Sequence, residues 1–283
     1  MARQIWSWRR SIAPGQEETW IARLDAAGCV AWAFTERPGR ARVLLEGYVK
    51  SRSAASALAR EWGGRVVNAD SHRWLKTRPS PPTRIGSKLE IVHDKTGNRK
   101  KEEASRLCIP HGLAFGSGEH ATTYMLLRAL AGRGDWSGTS VLDLGTGSGV
   151  LALAGRLFGA RKIVATDFDP DAVRTARQNE ALNFAQPLIR WRQTDVKKLH
   201  AKTRYDLVLA NLFSGILAEA AAQIAGCVAP DGELWLSGVL HSQQREVVAA
   251  YRGQGLRLIR VIRRGKWVMI LLKGSASSRS YAG

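Results

Sequence analysis

The chain has 283 residues, of which 45% are hydrophobic, and its net charge is +19 at neutral pH. This length accommodates two domains with cores of their own. The sequence has no apolar run long enough for a signal peptide or a membrane span, and its three cysteines fit no metal or disulfide spacing, so we expect a cytoplasmic protein with no membrane partner. The basic excess indicates contact with nucleic acid or a ribonucleoprotein, with an ordinary solvated surface as the alternative.

Residues 1–69 show the pattern of a small α+β domain. Strands are predicted at 4–9, 29–35, 42–49 and 65–68, and helices at 16–27 and 53–62. The resulting order, β-α-β-β-α-β, is that of a ferredoxin-like domain. Because no side chain in this domain has the context of a catalytic group, we predict that it recognises the substrate.

Residues 70–110 are predicted to connect this domain to the next one. Three prolines between positions 79 and 82 favour an extended, stiff passage. Two short strands are predicted at 88–93 and 106–109, on either side of a polar loop. This composition indicates a spacer and no catalytic role.

The segment 111–123 forms a glycine-rich loop that leads into a helix predicted at 122–131. Because the loop arrives just before the next strand, we expect it to fold over a cofactor bound there. Glu119 and His120 are candidates for a base or an orienting group, although polar residues at a helix start need no chemical role. No ligand spacing predicts a metal site.

A second glycine-rich turn comes directly after a buried strand and before a helix. Its spacing, Gly145-x-Gly147-x-Gly149, differs from the G-x-G-x-x-G of dinucleotide-binding folds. Asp143 lies two residues before the first of these glycines. A carboxylate there would repel a pyrophosphate, but it suits the cationic amino-acid part of S-adenosylmethionine.

Two further polar residues end neighbouring strands of the same predicted sheet. Asp167 lies 22 residues after Gly145, where an acid accepts the hydroxyl groups of an adenosine ribose. Asn211 ends the fourth strand, and the carboxyl ends of parallel strands face the ligand. We therefore expect the Asn211 carbonyl to lie beside the reacting group, where it can accept a hydrogen bond from an amine nucleophile.

The rest of the second domain, residues 111–273, alternates strands and helices. Strands are predicted at 140–144, 162–168, 188–194, 205–212 and 232–240, with helices starting near 150, 170, 215 and 242. A hairpin of strands 256–262 and 267–273 then follows. We therefore predict an α/β fold with a mostly parallel, Rossmann-like class I methyltransferase sheet and a terminal antiparallel hairpin, preceded by the ferredoxin-like α+β domain. The tail, 274–283, is predicted to be disordered.

Together these segments resemble the ribosomal protein L11 methyltransferase family. The loop Leu113–Thr123 is similar to that family's A-F-G-T-G-x-H-x-T-T motif. Asp143–Gly149, Asp167–Pro170 and Ala210–Gly215 are similar to its later motifs. The resemblance implies a monomeric, S-adenosylmethionine-dependent N-methyltransferase that acts on lysine or N-terminal amines of an L11-like ribosomal protein.

The resemblance also implies roles for individual residues. Asn211 is the implied catalytic residue. The chain departs from the family at Pro110-His111, where the family has Asp-Pro, and at Leu212-Phe213, where it has Ile-Leu, and these departures leave the substrate open. The residues implied to bind S-adenosylmethionine are Phe115, Gly116, Thr122, Thr123, Asp143, Gly145, Gly147, Gly149, Asp167, Phe168, Asp195 and Asn211.

Two other functions fit parts of the same pattern. An RNA or DNA amino-methyltransferase would explain the basic charge, but such enzymes carry a proline pair and a stacking aromatic residue after the asparagine, because they flip the target base. Here Asn211 is followed by Leu212-Phe213. A cofactor-binding, ribosome-associated factor without catalysis is the other alternative, and the intact set of cofactor residues argues against it. Contact of the basic surface with ribosomal RNA is compatible with each of the three.

Overall fold

A computed structural model of the protein describes residues 5–29, 31–36, 42–69, 82–93, 106–111, 116–200 and 203–274. The chain divides into two compact units, Met1–Arg78 and Pro79–Gly283. Within the described ranges, no helix is long and apolar enough to cross a membrane. The tail predicted to be disordered lies, from residue 275 on, outside the described residues.

The first unit is an antiparallel sheet with two helices. Its elements are β1 (Ile5–Ile12), α1 (Glu17–Ala26), β2 (Ala31–Glu36), β3 (Val43–Val49), α2 (Arg52–Trp62) and β4 (Arg65–Ala69). The strand order β2-β3-β1-β4 and the element order confirm the ferredoxin-like prediction. Three tryptophans meet at its mostly aliphatic core: the ring centroids of Trp8, Trp20 and Trp62 lie 5.4 to 5.8 Å apart. Such tilted contacts are favourable for aromatic rings.

The second unit begins with a small sheet of three strands. These are β5 (Thr83–Ile85), β6 (Leu89–Val92) and β7 (Arg106–Cys108). A connector over 70–110, as predicted, would only span the gap between two domains. Ile85, Ile91 and Leu107 are instead fully buried in the core of this unit. The reason is apolar burial: each buried aliphatic side chain contributes about 1.5–3 kcal/mol.

The large sheet has seven strands. Its strands and helices are α3 (Ala121–Gly132), β8 (Ser140–Leu144), α4 (Val150–Leu157), β9 (Lys162–Asp167), α5 (Pro170–Asn183), β10 (Ile189–Gln193), β11 (Tyr205–Asn211), α6 (Ser214–Glu219), α7 (Ala221–Gly226), β12 (Val228–Leu240), α8 (Gln244–Arg252), β13 (Arg257–Arg264) and β14 (Trp267–Lys273). The order is β10-β9-β8-β11-β12-β14-β13, and only the β14 pairings are antiparallel. The predicted class I sheet with its terminal hairpin is thereby confirmed.

The strand order reverses between β8 and β11. These strands are neighbours although β9 and β10 lie between them in sequence. Ligands of open α/β sheets bind at such a switch point, outside the carboxyl ends of the strands. A ligand is therefore expected next to the residues that follow Leu144 and Ala210, which are paired across the two strands.

Candidate functional site

The turn after β8 requires glycine for two reasons. Gly145 and Gly149 have φ angles of 68° and 83°, in the left-handed region that glycine tolerates best. A Cβ at Gly145 would also lie 2.3 Å from the Leu212 side chain, and one at Gly149 would lie 2.8 Å from the Trp191 ring. The glycines therefore bring the end of β8 close to the segment after β11 and to β10.

Asp143 is a fully buried acid at the end of β8. The Thr146 hydroxyl donates a 2.5 Å hydrogen bond to its Oδ2, whereas Oδ1 has no hydrogen-bond partner within the described ranges. Burial raises the pKa of Asp143 to about 7; the Thr146 hydroxyl and the nearby Ala152 N–H lower this pKa, and the charge of Asp167 raises it. A buried acceptor without a partner costs free energy unless a ligand satisfies it.

Asp167 lies at the end of β9, next to the glycine turn. Its Oδ2 accepts a hydrogen bond from the Gly147 N–H at 2.9 Å, and its Oδ1 accepts one from the Asp169 N–H at 3.1 Å. Burial raises its pKa, and these N–H groups oppose the rise. The carboxylate is thus held in one orientation, with the strongly exposed Phe168 beside it.

Asn211 ends β11 on the other side of the switch point. Its Nδ2 donates to the Thr123 hydroxyl at 3.1 Å, across 88 residues of sequence. Its Oδ1 is buried and has no hydrogen-bond partner among the described residues. The side chain of Leu212, the next residue, occupies the position where a Cβ of residue 145 would lie. Asn211 and the glycine turn therefore form one site, and Thr123 on α3 orients the amide.

The loop before α3 is tied to the glycine turn. The Ser148 hydroxyl donates a 2.6 Å hydrogen bond to the Gly116 carbonyl, and the Ser148 carbonyl accepts one from Asn179 Nδ2 at 2.8 Å. These bonds hold Gly116 against the turn, and the predicted cover over a bound cofactor stays a prediction. Phe115, the other predicted loop residue, lies outside the described residues.

Four other candidates have local structural contacts. Thr122 Oγ1 lies 2.8 Å from His120 Nδ1, and the His120 side chain caps α3 and packs edge-on against Trp267. Asp195 accepts a hydrogen bond from the Lys197 N–H and so caps a short 3-10 turn after β10. Glu119 is exposed and accepts a bond from Ser117. These contacts account for all four side chains without any chemistry, and their predicted roles stay predictions.

Two polar residues of the turn have no role in the prediction from sequence. Thr146 donates to Asp143, and Ser148 holds the loop through Gly116. Their position inside the glycine motif is the only signal for them, because small polar residues are common in turns.

The site fits S-adenosylmethionine. An unpaired, buried carboxylate oxygen on Asp143 suits a cationic ammonium group, and the Asp167 carboxylate, held by the Gly147 N–H, lies at the same edge of the sheet. The family model described as ribosomal protein L11 methyltransferase (PrmA) matches residues 67–275. The chain belongs to this family.

Individual relatives and structures agree with that assignment. A ribosomal protein L11 methyltransferase of Geotalea daltonii is 36% identical over 262 residues, which cover 89% of this chain and 77% of the relative. That of Geotalea uraniireducens is 39% identical over 197 residues, 66% of this chain and only 62% of the relative. The chain thus spans less than two thirds of some relatives. The crystal structure of a ribosomal protein L11 methylase from Lactobacillus delbrueckii subsp. bulgaricus matches with a TM-score of 0.61 and 26% identity, covering 69% of this chain and all of that one.

Membership in a family of S-adenosylmethionine-dependent methyltransferases confirms the predicted family, fold class and cofactor.

One departure from the family pattern, His111, has a defined environment. Its ring stacks on that of His93, with centroids 4.1 Å apart and planes 21° apart. Its Nδ1 lies 3.9 Å from Glu119 Oε2. The departure therefore places a second imidazole next to a carboxylate, at the start of the loop.

Proposed function

We propose that this chain transfers methyl groups from S-adenosylmethionine to lysine or N-terminal amines of ribosomal protein L11. The names of its relatives support the substrate. The observation that carries the proposal is the buried, unpaired Oδ1 of Asn211 at the switch point of the sheet. An oxygen acceptor there is the complement of an amine donor.

The acids and the glycine turn hold the cofactor. Asp143 accepts a bond from the ammonium group, and its ionised form is favoured by that positive charge. Asp167 accepts bonds from the ribose hydroxyls, in the orientation that the Gly147 and Asp169 N–H groups already impose. The proposed binding set is completed by Phe115, Gly116, Thr122, Thr123, Gly145, Gly147, Gly149, Phe168, Asp195 and Asn211.

Asn211 is the proposed catalytic residue. When bound, the cofactor supplies an electrophilic methyl group and leaves as S-adenosylhomocysteine. Oδ1 of Asn211 accepts a hydrogen bond from the attacking amine and so aligns its lone pair, while Thr123 keeps the amide from rotating. A lysine amine, with an ordinary pKa of about 10.4, must first lose a proton, and burial beside a positive charge lowers that pKa, so no dedicated base is required.

The first unit is proposed to recognise the protein substrate. None of the candidate site residues lies in it, and its buried side chains form a hydrophobic core of its own. A ribosomal substrate also implies that the enzyme acts in the cytoplasm. The chain is proposed to act as a monomer.

Contact with ribosomal RNA is a separate part of the proposal. After Glu246 the sequence has eight lysines or arginines and no acid. Arg257, Arg260 and Arg263 are exposed along β13, at the edge of the sheet. Exposed arginines along an edge strand suit the phosphates of RNA.

The test is a transfer assay with radiolabelled S-adenosylmethionine on separated ribosomal proteins and ribosomal RNA. We expect label in L11 and none in RNA. Asn211→Ala should lower turnover on L11 by about a hundredfold, because the amine loses its alignment, and this loss should exceed any rise in the Kd of the cofactor. Asn68→Ala, on the exposed part of β4, is the control. Label in RNA alone would replace this proposal with the nucleic-acid alternative, and cofactor binding without label in any fraction would favour the non-catalytic one.

A further inference from the structure

His93, His111 and Glu119 form a cluster at the start of the loop that leads to α3. One potential metal-ligating atom from each residue lies within 4.8 Å of the other two. We propose that these three side chains bind a divalent transition metal ion of the Zn²⁺ class. Neither the family assignment nor the proposed methyl transfer calls for this site.

His93 is arranged as a metal ligand. It is 8% exposed, and its Nδ1 lies 2.9 Å from the carbonyl oxygen of Ile109, which can only accept a hydrogen bond. Nδ1 therefore carries the proton, and Nε2 keeps the lone pair that a metal needs. The contact of Nε2 with the Thr83 hydroxyl, at 3.3 Å, is long enough to give way. Metal-bound histidines commonly donate their other N–H to a backbone carbonyl in this manner.

The other two ligands are exposed enough to adjust. The side chains of His111 and Glu119 are 43% and 49% exposed, and Nδ1 lies 3.9 Å from Oε2. Around a tetrahedral zinc ion with bonds of about 2.0–2.2 Å, ligand atoms lie roughly 3.3 Å apart. Rotation of these two side chains therefore closes the site around the fixed His93 ring. Metal binding requires the His111 ring to leave its stacked position on His93, because the lone pairs of parallel rings do not converge on one ion.

The ligand set selects the class of metal. Two imidazole nitrogens and one carboxylate oxygen suit Zn²⁺, Co²⁺ or Ni²⁺, whereas Mg²⁺ and Ca²⁺ prefer oxygen ligands alone. Three protein ligands leave a fourth position for water. The ion would join the end of β6 to both ends of the segment 111–119, which also contacts the glycine turn through Gly116.

The experiment uses the full-length chain, free of any affinity tag and stripped of metal by a chelator. ZnCl₂ and CoCl₂ are titrated by calorimetry, and visible absorption of Co²⁺ reports its coordination. We expect one Zn²⁺ per chain with a Kd in the micromolar range or below, and no comparable binding of MgCl₂. Because loss of a supporting bond already costs 10–100-fold in metal affinity, His111→Ala and Glu119→Gln should each weaken Zn²⁺ binding at least about tenfold.

Both variants change exposed side chains, so thermal melting should show that they fold. His200→Ala, at another exposed histidine, is the control and should bind Zn²⁺ like the unaltered chain. No stoichiometric binding to the unaltered chain would overturn the proposal. Equal affinity in His111→Ala, Glu119→Gln and the control would also overturn it, because the ion would then be held elsewhere. Neither result bears on methyl transfer, which the assay on L11 tests separately.

Discussion

The second unit carries opposite charges in two different settings. Asp143 and Asp167 are buried at the carboxyl ends of β8 and β9, whereas Arg257, Arg260 and Arg263 are exposed on the edge strand β13. Salt screens exposed charges strongly and buried ones much less. A small cation held by the acids should therefore bind almost independently of ionic strength, while an anionic macromolecule on β13 should not. Binding of the cofactor and binding of a large anionic partner to this unit should thus differ in their dependence on salt concentration.

The largest expected effect comes from separating the two units. A shortened chain, residues 79–283, keeps both acids, the glycine turn and the buried strands β5 to β7. We expect it to bind S-adenosylmethionine with near-native affinity by calorimetry. Its methylation of intact L11 should fall at least about a hundredfold, because docking no longer raises the effective concentration of the substrate. Full activity of the shortened chain on L11 would show that the first unit has another role.

Next in size is the loss of one buried acid. Asp167→Ala removes a charged acceptor of hydrogen bonds, each worth about 1.5–3 kcal/mol, so the Kd of S-adenosylmethionine should rise tenfold to a hundredfold. Calorimetry at low and high salt should give the same ratio to the unaltered chain, since the acid is buried. Asp135→Ala, at an exposed acid, serves as the control. A ratio that shrinks strongly with salt would contradict the contrast with β13.

The pH dependence of stability tests the setting of Asp143. Its pKa is raised from 3.8 to about 7 by burial, so the unfolded chain ionises this group more readily than the folded chain. This carboxyl therefore costs the ligand-free protein stability increasingly as pH rises from about 4 to 7, and no further above that. Urea unfolding from pH 5 to 8 should show the unaltered chain losing up to about 1 kcal/mol per pH unit relative to Asp143→Asn below pH 7. Parallel curves for the two proteins would mean that the pKa is not raised.

The smallest effect is expected on the exposed side of the comparison. Replacing Arg257 and Arg260 by glutamine should weaken binding to ribosomal RNA several-fold. The slope of log K against the logarithm of the salt concentration should become shallower by about one for each phosphate that is no longer neutralised. Filter binding over a range of salt concentrations measures both quantities. The control replaces Arg190 and Arg192, which are exposed on β10 at the opposite edge of the sheet. Equal effects of the two pairs would assign the basic charge to the surface as a whole.

Local motifs make much of this molecule predictable. The glycine turn, Asp143 and Asp167 follow one another along a single βαβ unit, so their spacing in sequence fixes their spacing in the fold. Alternation of apolar and polar residues locates the strands, because a strand places every second side chain on the same face. For Asn211, the position at the end of the fourth strand is enough to predict its place at the sheet edge.

Contacts between distant residues are beyond the reach of sequence. Cys108 exchanges two buried hydrogen bonds with the Asn183 amide, 75 residues away, and this pairing fixes β7 against α5. Spacing rules detect metal ligands only when they lie close together in sequence, so the cluster of His93, His111 and Glu119 gives no signal. The prolines at 79–82 predict a connector, but they do not predict that the apolar residues after them are buried in the second unit.

Leu212, the residue after the proposed catalytic asparagine, is confined by two missing side chains. A Cβ at Gly145 would lie 2.3 Å from its Cδ2, and a Cβ at Gly238 would lie 2.3 Å from its carbonyl oxygen. Positions 145, 212 and 238 therefore cannot change independently during evolution. A larger residue at either glycine would displace the backbone that carries Asn211, whatever it did to the cofactor.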